Sequence, residues 1–119
     1  MARPRSSTRQ FHDLSEGVAF IAECLESGSI AELHSDLELA EERLARRPDD
    51  LDYFSRFVFA QLCDIHRRTD LRELYRDRAF PEDSEHFKLG GHMKELGCIH
   101  IDFEKGHHGW ALRDIWLCR

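Results

Sequence analysis

The chain has 119 residues and a mass of 14.0 kDa; 41% of it is hydrophobic and 34% charged, with seven Gly and three Pro. That length suits one domain that buries roughly two-thirds of its unfolded surface, and twelve aromatic residues exclude collagen-like, mucin-like and wholly disordered classes. A formal charge of −6 and a pI near 5.7 argue against general attraction to nucleic acid or to an anionic membrane.

Met1 to Gln10 carries Arg3, Arg5 and Arg9 without an apolar core segment, so it does not read as a signal peptide. Residues 1–12 are expected to form a flexible arm and residues 13–119 a single globular domain. Ser15 is placed to cap a helix over Glu16 to Ser27, with Val18, Ile21, Ala22 and Leu25 as its apolar stripe and Gly28 as its stop. Ser29 followed by Glu32 is a capping-box pattern. Ile30, Leu33, Leu37, Ala40 and Leu44 then mark a second amphipathic helix to about Arg47, ended by Pro48.

Asp49 or Asp50 caps a third helix from Leu51 to about Arg68. Its apolar residues nearly encircle the axis, which predicts a central element buried on most sides. Thr69 or Asp70 caps a shorter fourth helix with Leu71, Leu74 and Tyr75 facing inward, possible support from Phe80, and a stop at Pro81. Glu82 to Gly97, broken by Gly90-Gly91, is expected to be a loop with one helical turn near His92 to Leu96.

From Cys98 the period becomes two: Ile99, Ile101 and Phe103 alternate with His100, Asp102 and Glu104, then a turn over Lys105 to Gly109 leads to a second alternating strand. Pairing Asp102 with Arg113 sets Phe103 opposite Leu112 and Ile99 opposite Trp116. A one-residue slip sets Asp102 against Asp114, and like charges directly opposed are destabilising. The first register is expected. It puts Ile99, Ile101, Phe103, Trp110, Leu112 and Trp116 on the face covered by helices, and it separates Cys98 from Cys118. The fold class is therefore α+β: about four N-terminal helices packed on a C-terminal antiparallel β-hairpin or small sheet. Truncation of Phe57 or Trp116 to Ala should then cost about 3–5 kcal/mol.

No P-loop, GxGxxG, GxSxG, HExxH or EF-hand pattern occurs, and no stretch has the ~18–20 apolar residues of a membrane helix. Four cysteines at wide spacings read as reduced thiols of a cytoplasmic protein; a disulfide framework requires an extracytoplasmic home, reached if Met1 follows a removed signal. Cys98, His100, His107 and His108 are the candidate metal ligands, within a region holding five of the eight histidines. Cys63 and His66, three apart on a helix, are a second pair, but two ligands do not close a site. The row Cys98, His100, Asp102 has the residue types of nucleophilic catalysis without an oxyanion donor, and a solvated polar face explains it better.

Charge is polarised along the chain. Glu32 to Asp52 holds eight acids against three Arg, and His66 to Arg78 holds five Arg against three acids. A non-catalytic interaction domain is the leading reading, binding a protein partner through Glu38, Glu41 and Glu42 or through Arg72 and Arg76. No cofactor is implied, and a homodimer is left open.

The segment IHIDFEKGHHGWALRDIW resembles the closing hairpin of NTF2-like (SnoaL-type) domains, within about a fifth of the chain. The resemblance transfers no functional residue. It implies a cone-shaped pocket lined by Trp110, Leu112 and Trp116, with a small-molecule or dimerisation role. A small-ligand or metal-binding domain with its site at the hairpin is accordingly the alternative.

Overall fold

The computed structural model describes residues 9–41, 51–76, 85–93 and 97–117. Four helices are followed by a three-stranded antiparallel sheet in the order β1-β2-β3. Helix α1 spans Leu14–Ser27 and begins slightly earlier than expected. Its cap is Asp13, whose carboxylate accepts the Glu16 N–H at 3.0 Å, while the Ser15 hydroxyl donates to the same carboxylate at 2.6 Å. A carboxylate is the stronger acceptor for an N-terminal amide, so Ser15 serves the cap instead of being it. Gly28 ends the helix at φ 74°, and Ile30–Glu41 follows as α2. The expected continuation of α2 to Arg47, and Pro48, lie outside the described residues.

Helix α3 runs unbroken through Leu51–Tyr53, a π-helical turn at Phe54–Val58, and Phe59–Arg68. Phe54, Val58, Leu62 and Ile65 are buried along one face. Tyr53 and Phe57, four apart on the neighbouring face, are 40% and 54% exposed, so the expectation of a helix buried on most sides fails there. Apolar residue type does not fix orientation: a helix laid against one sheet and two helices still has a face left over. Helix α4, Leu71–Arg76, starts at Asp70, which accepts the Arg72 N–H at 2.9 Å. Phe80 and Pro81 lie outside the described residues.

Strand β1, His86–Met93, replaces the expected loop and the start of the helical turn near His92 to Leu96; residues 82–84 and 94–96 lie outside the described residues. Phe87 and Leu89 alternate with Lys88 and point into the core. Gly90 is a strand residue, not a breaker: at φ 106° it brings its α-carbon against the Ile99 carbonyl, where a Cβ would not fit. Strands β2 and β3, Gly97–Gly106 and Gly109–Leu117, form the hairpin around His107-His108. Gly109, at φ 132°, makes room for Phe11, whose N–H and C=O bond Trp110 at 2.7 and 2.8 Å. Phe11 is itself buried, so the packed structure takes in residues of the stretch read as an arm.

The hairpin register is the expected one only near the turn, where Phe103 faces Leu112. Between Asp102 and Phe103 a β-bulge shifts it by one, pairing Asp102 with Asp114, His100 with Trp116 and Ile99 with Leu117. Ile115 therefore enters the core, completely buried, and Trp116 turns to the opposite face, 36% exposed. The balance of energies explains the choice. Opposed like charges cost about 0.2–1 kcal/mol. A buried indole N–H without an acceptor costs about 1–3 kcal/mol, and on the outer face Trp116 donates to Asp102 Oδ2 at 3.0 Å.

Core residues come from every described helix and strand: Leu14, Val18 and Ile21 of α1, Leu33 and Leu37 of α2, Phe54 and Leu62 of α3, Leu71 of α4, and the inner sheet face. Phe54→Ala should lower unfolding free energy by about 3–5 kcal/mol, whereas Phe57→Ala should stay within about 0.5 kcal/mol. Urea denaturation of the two variants checks this, and equal losses would refute the assignment of faces.

Candidate functional site

Two faces of the domain bring the sequence candidates together in different ways. The first is the sheet face turned away from the core. Cross-strand partners Lys88–Asp102 and Asp102–Asp114 form one row, with Gly90, His100 and Trp116 beside it. The His100 and Trp116 rings stack at 4.2 Å and 9°, and the Lys88 ammonium lies 5.7 Å from the Trp116 ring centre. Arg113, the extra residue at the bulge, pairs with Glu104 at 3.1 Å. His86, Lys88, Asp102, Arg113 and Asp114 edge a shallow groove of about 310 Å³ there.

This arrangement dismantles two expected sites. Trp110 and Leu112 are buried while Trp116 lies across the sheet from them, so the three do not line one pocket. Cys98 is disulfide-bonded, which removes the thiolate from both the metal set and the nucleophile row. Cys24 and Cys63 are free thiols, and the fourth cysteine, Cys118, lies outside the described residues. His107 and His108 sit exposed at the hairpin tip, beyond the His100–Trp116 stack along the strands.

The second face is helical. Arg72 is fixed by two carboxylates, its Nε donating to Asp70 at 3.1 Å and its Nη2 to Glu26 on α1. His66 joins the same cluster. Its Nδ1 accepts the Leu71 N–H at 3.1 Å and its Nε2 meets Glu26 at 2.8 Å, which leaves Nε2 as the protonated nitrogen. Glu26, His66 and Asp70 converge closely enough to suggest a cation site, but the Arg72 guanidinium already supplies the positive charge and both imidazole nitrogens are engaged. The cluster ties α1, α3 and α4 together, and Cys63–His66 is not a chelating pair. Burial raises the Cys63 thiol above its ordinary value.

Arg76, four residues on, is exposed beside an apolar cleft of about 280 Å³ between α1 and α4, walled by Val18, Ala19 and Tyr75. Arg72 and Arg76 therefore share one face, as their spacing implies, although Arg72 is spoken for. Glu38 and Glu41 fall on α2 with side chains outside the described part, and Glu42 lies wholly outside it. What sequence reasoning missed is the aromatic pair on α3: Tyr53 and Phe57 rings stand 5.6 Å apart, with the Arg56 guanidinium 6.0 Å from the Phe57 ring and ion-paired to Asp52 at 3.3 Å. Their i, i+4 spacing was the available signal.

Among the described residues no helix is long and apolar enough to cross a membrane. Comparison with family models, curated proteins and solved structures returns no match, so the residues alone carry any functional argument.

Two measurements follow from these groups. The His66 hydrogen bond holds the Glu26 carboxyl below its ordinary 4.5, and the Arg72 hydrogen bond holds Asp70 below 3.8. Lowered carboxylates mean that the unfolded chain binds more protons, so their stabilisation is present above those ordinary values and fades as pH falls through the folded ones. The urea midpoint of the wild type should drop between about pH 5 and pH 3, and Arg72→Met should drop less over the same range. Burial, reinforced by Glu32 and Asp36, pushes the Cys24 thiol up to about 11 from 9.0. Its thiolate fraction at neutral pH is then about 100-fold below that of an ordinary cysteine. Alkylation of native protein should leave Cys24 untouched; denatured protein should take two labels before reduction and four after it.

Proposed function

We propose that this chain is a non-catalytic interaction domain that binds a protein partner through its charged helical faces, with Tyr53 and Phe57 as the apolar anchor. The exposure of that pair carries the reading. Two adjacent aromatic rings, 40% and 54% exposed, present apolar area at small cost in side-chain entropy, and such residues dominate the energetics of protein interfaces. Covering the exposed half of one of them is worth about 1 kcal/mol. Arg56 and Asp52 supply a polar rim beside them.

Charge selects the kind of partner. The acidic stretch that contains Glu38, Glu41 and Glu42, together with the net charge of −6, favours a basic surface. A second copy of this chain brings another −6 and is disfavoured at long range. Arg76 offers an exposed guanidinium for a rim carboxylate of the partner, while Arg72 stays committed to Glu26 and Asp70.

The experiment is photo-crosslinking in the native host from a probe placed at Asp52, comparing wild type with Phe57→Ser. A basic protein should crosslink to the wild type and fall at least about tenfold in the variant, with the thermal midpoint unchanged. Charge reversal at Glu38, Glu41 and Glu42 should weaken the same adduct and flatten its salt dependence. Equal recovery with Phe57→Ser, or self-dimer as the adduct, would overturn the proposal.

A further inference from the structure

The four cysteines divide into two kinds. Cys24 and Cys63 are free thiols, and burial pushes both above their ordinary value, Cys24 to about 11. Such thiols carry little thiolate and are poor nucleophiles. Cys98 is disulfide-bonded, and with Cys24 and Cys63 free the sequence leaves Cys118 as its partner. The ladder agrees: its outermost described pair joins Ile99 to Leu117, the neighbours of those two cysteines.

The surroundings of Cys98 differ from those of the free thiols. Cys98 is only partly buried. His100 Nε2 lies 4.0 Å from its Sγ, within reach of a hydrogen bond to sulfur. The imidazole is firmly oriented, stacked at 4.2 Å and 9° on Trp116. That indole is held in turn, its N–H by Asp102 and its ring beside the Lys88 ammonium. An imidazole N–H held against a sulfur stabilises it as a thiolate, and a less basic thiolate leaves a disulfide faster. The bonded cysteine thus has the environment of an exchangeable sulfur, and the two free ones have that of inert thiols.

We propose that the Cys98–Cys118 disulfide is a reversible switch opened by a small monothiol of the glutathione class, with Cys98 as the leaving group and His100 as the residue that receives it. A thiolate RS⁻ attacks the Cys118 sulfur; the S–S bond breaks, and its electron pair departs on Cys98 Sγ toward the His100 N–H. A second RS⁻ attacks the outer sulfur of the mixed disulfide, which releases RSSR and the Cys118 thiolate. Two electrons reduce the protein disulfide, two RSH are oxidised to RSSR, and their protons pass to the two new thiolates. β3 is the edge strand of the sheet, so the bond ties its end to β2. Opening it loosens the Ile99–Leu117 and His100–Trp116 pairs, while Phe103–Leu112 and Lys105–Trp110 on the turn side of the bulge stay in place.

The test treats the native full-length chain with millimolar glutathione at about pH 8, where an ordinary thiol is partly ionised. Acid quenching, denaturation, alkylation and peptide mapping follow. The labels should rise from two to four, the new ones at Cys98 and Cys118, and added oxidised glutathione should restore the bond. Trp110 and Trp116 are the two indoles, so a ¹⁵N-labelled sample gives two side-chain resonances that Trp116→Phe assigns. Reduction should move that of Trp116 and leave that of Trp110. His100→Phe keeps a ring for the stack but removes the N–H, and should slow opening by at least about threefold. A bond mapped to another pair, a disulfide that opens only in denaturant, a Trp116 resonance indifferent to reduction, or an opening rate unchanged in His100→Phe would each overturn the proposal. The wild-type measurements stand whatever that variant does to stability. None of these results bears on Tyr53 and Phe57, whose partner is tested separately.

Discussion

Between Asp102 and Phe103 the β2–β3 ladder takes in one extra residue, and the character of both sheet faces depends on it. On the turn side of that bulge, Trp110 and Leu112 face the helices. Beyond it the alternation inverts, so that Ile115 faces the helices while Asp114 and Trp116 face away. Without the inversion Ile115 and Leu117 would lie on the outer face beside Asp102 and His100. With it, that face gains an indole stacked on His100, a second carboxylate against Asp102, and Arg113 turned toward Glu104. The bulge spends a little electrostatic energy to satisfy an indole N–H and bury an isoleucine, and the net effect is a chemically dense surface over a conventional core.

The helical side is organised by a different device. His66 and Arg72 knit three helices through one glutamate. The imidazole receives the first amide of α4, while the guanidinium spans Asp70 and Glu26. Because Glu26, Asp70 and Arg72 are each more than a third exposed, their ion pairs are worth little in stability. Their larger effect is positional, since they set how α4 lies on α1 and hence where Tyr75 and Arg76 stand beside the apolar cleft.

Legibility differs by element for reasons that can be named. The helices are readable because their caps and stripes are local: Gly28 takes the left-handed conformation expected of it, and Asp70 caps α4. Strand β1 is not, because Gly90-Gly91 carries the composition of a breaker and its strand conformation depends on Ile99 approaching from β2. Phe57 cannot be oriented by residue type, which it shares with its buried neighbour Phe54. The disulfide at Cys98 is hidden from the sequence because four cysteines at wide spacings name no pairing.

By itself the sequence determined the α+β class, the order of helices before sheet, the helix starts to within a turn, and the inward set Ile99, Ile101, Phe103, Trp110 and Leu112. These follow from periodicity and capping, which act over a few residues. Tertiary structure alone decided which way Trp116 points, that Asp102 faces Asp114, that Arg72 is committed to Glu26, and that Tyr53 and Phe57 stay partly exposed. Each of those depends on a partner distant in sequence, and the energies that separate the alternatives are a few kcal/mol or less, smaller than any local pattern can resolve.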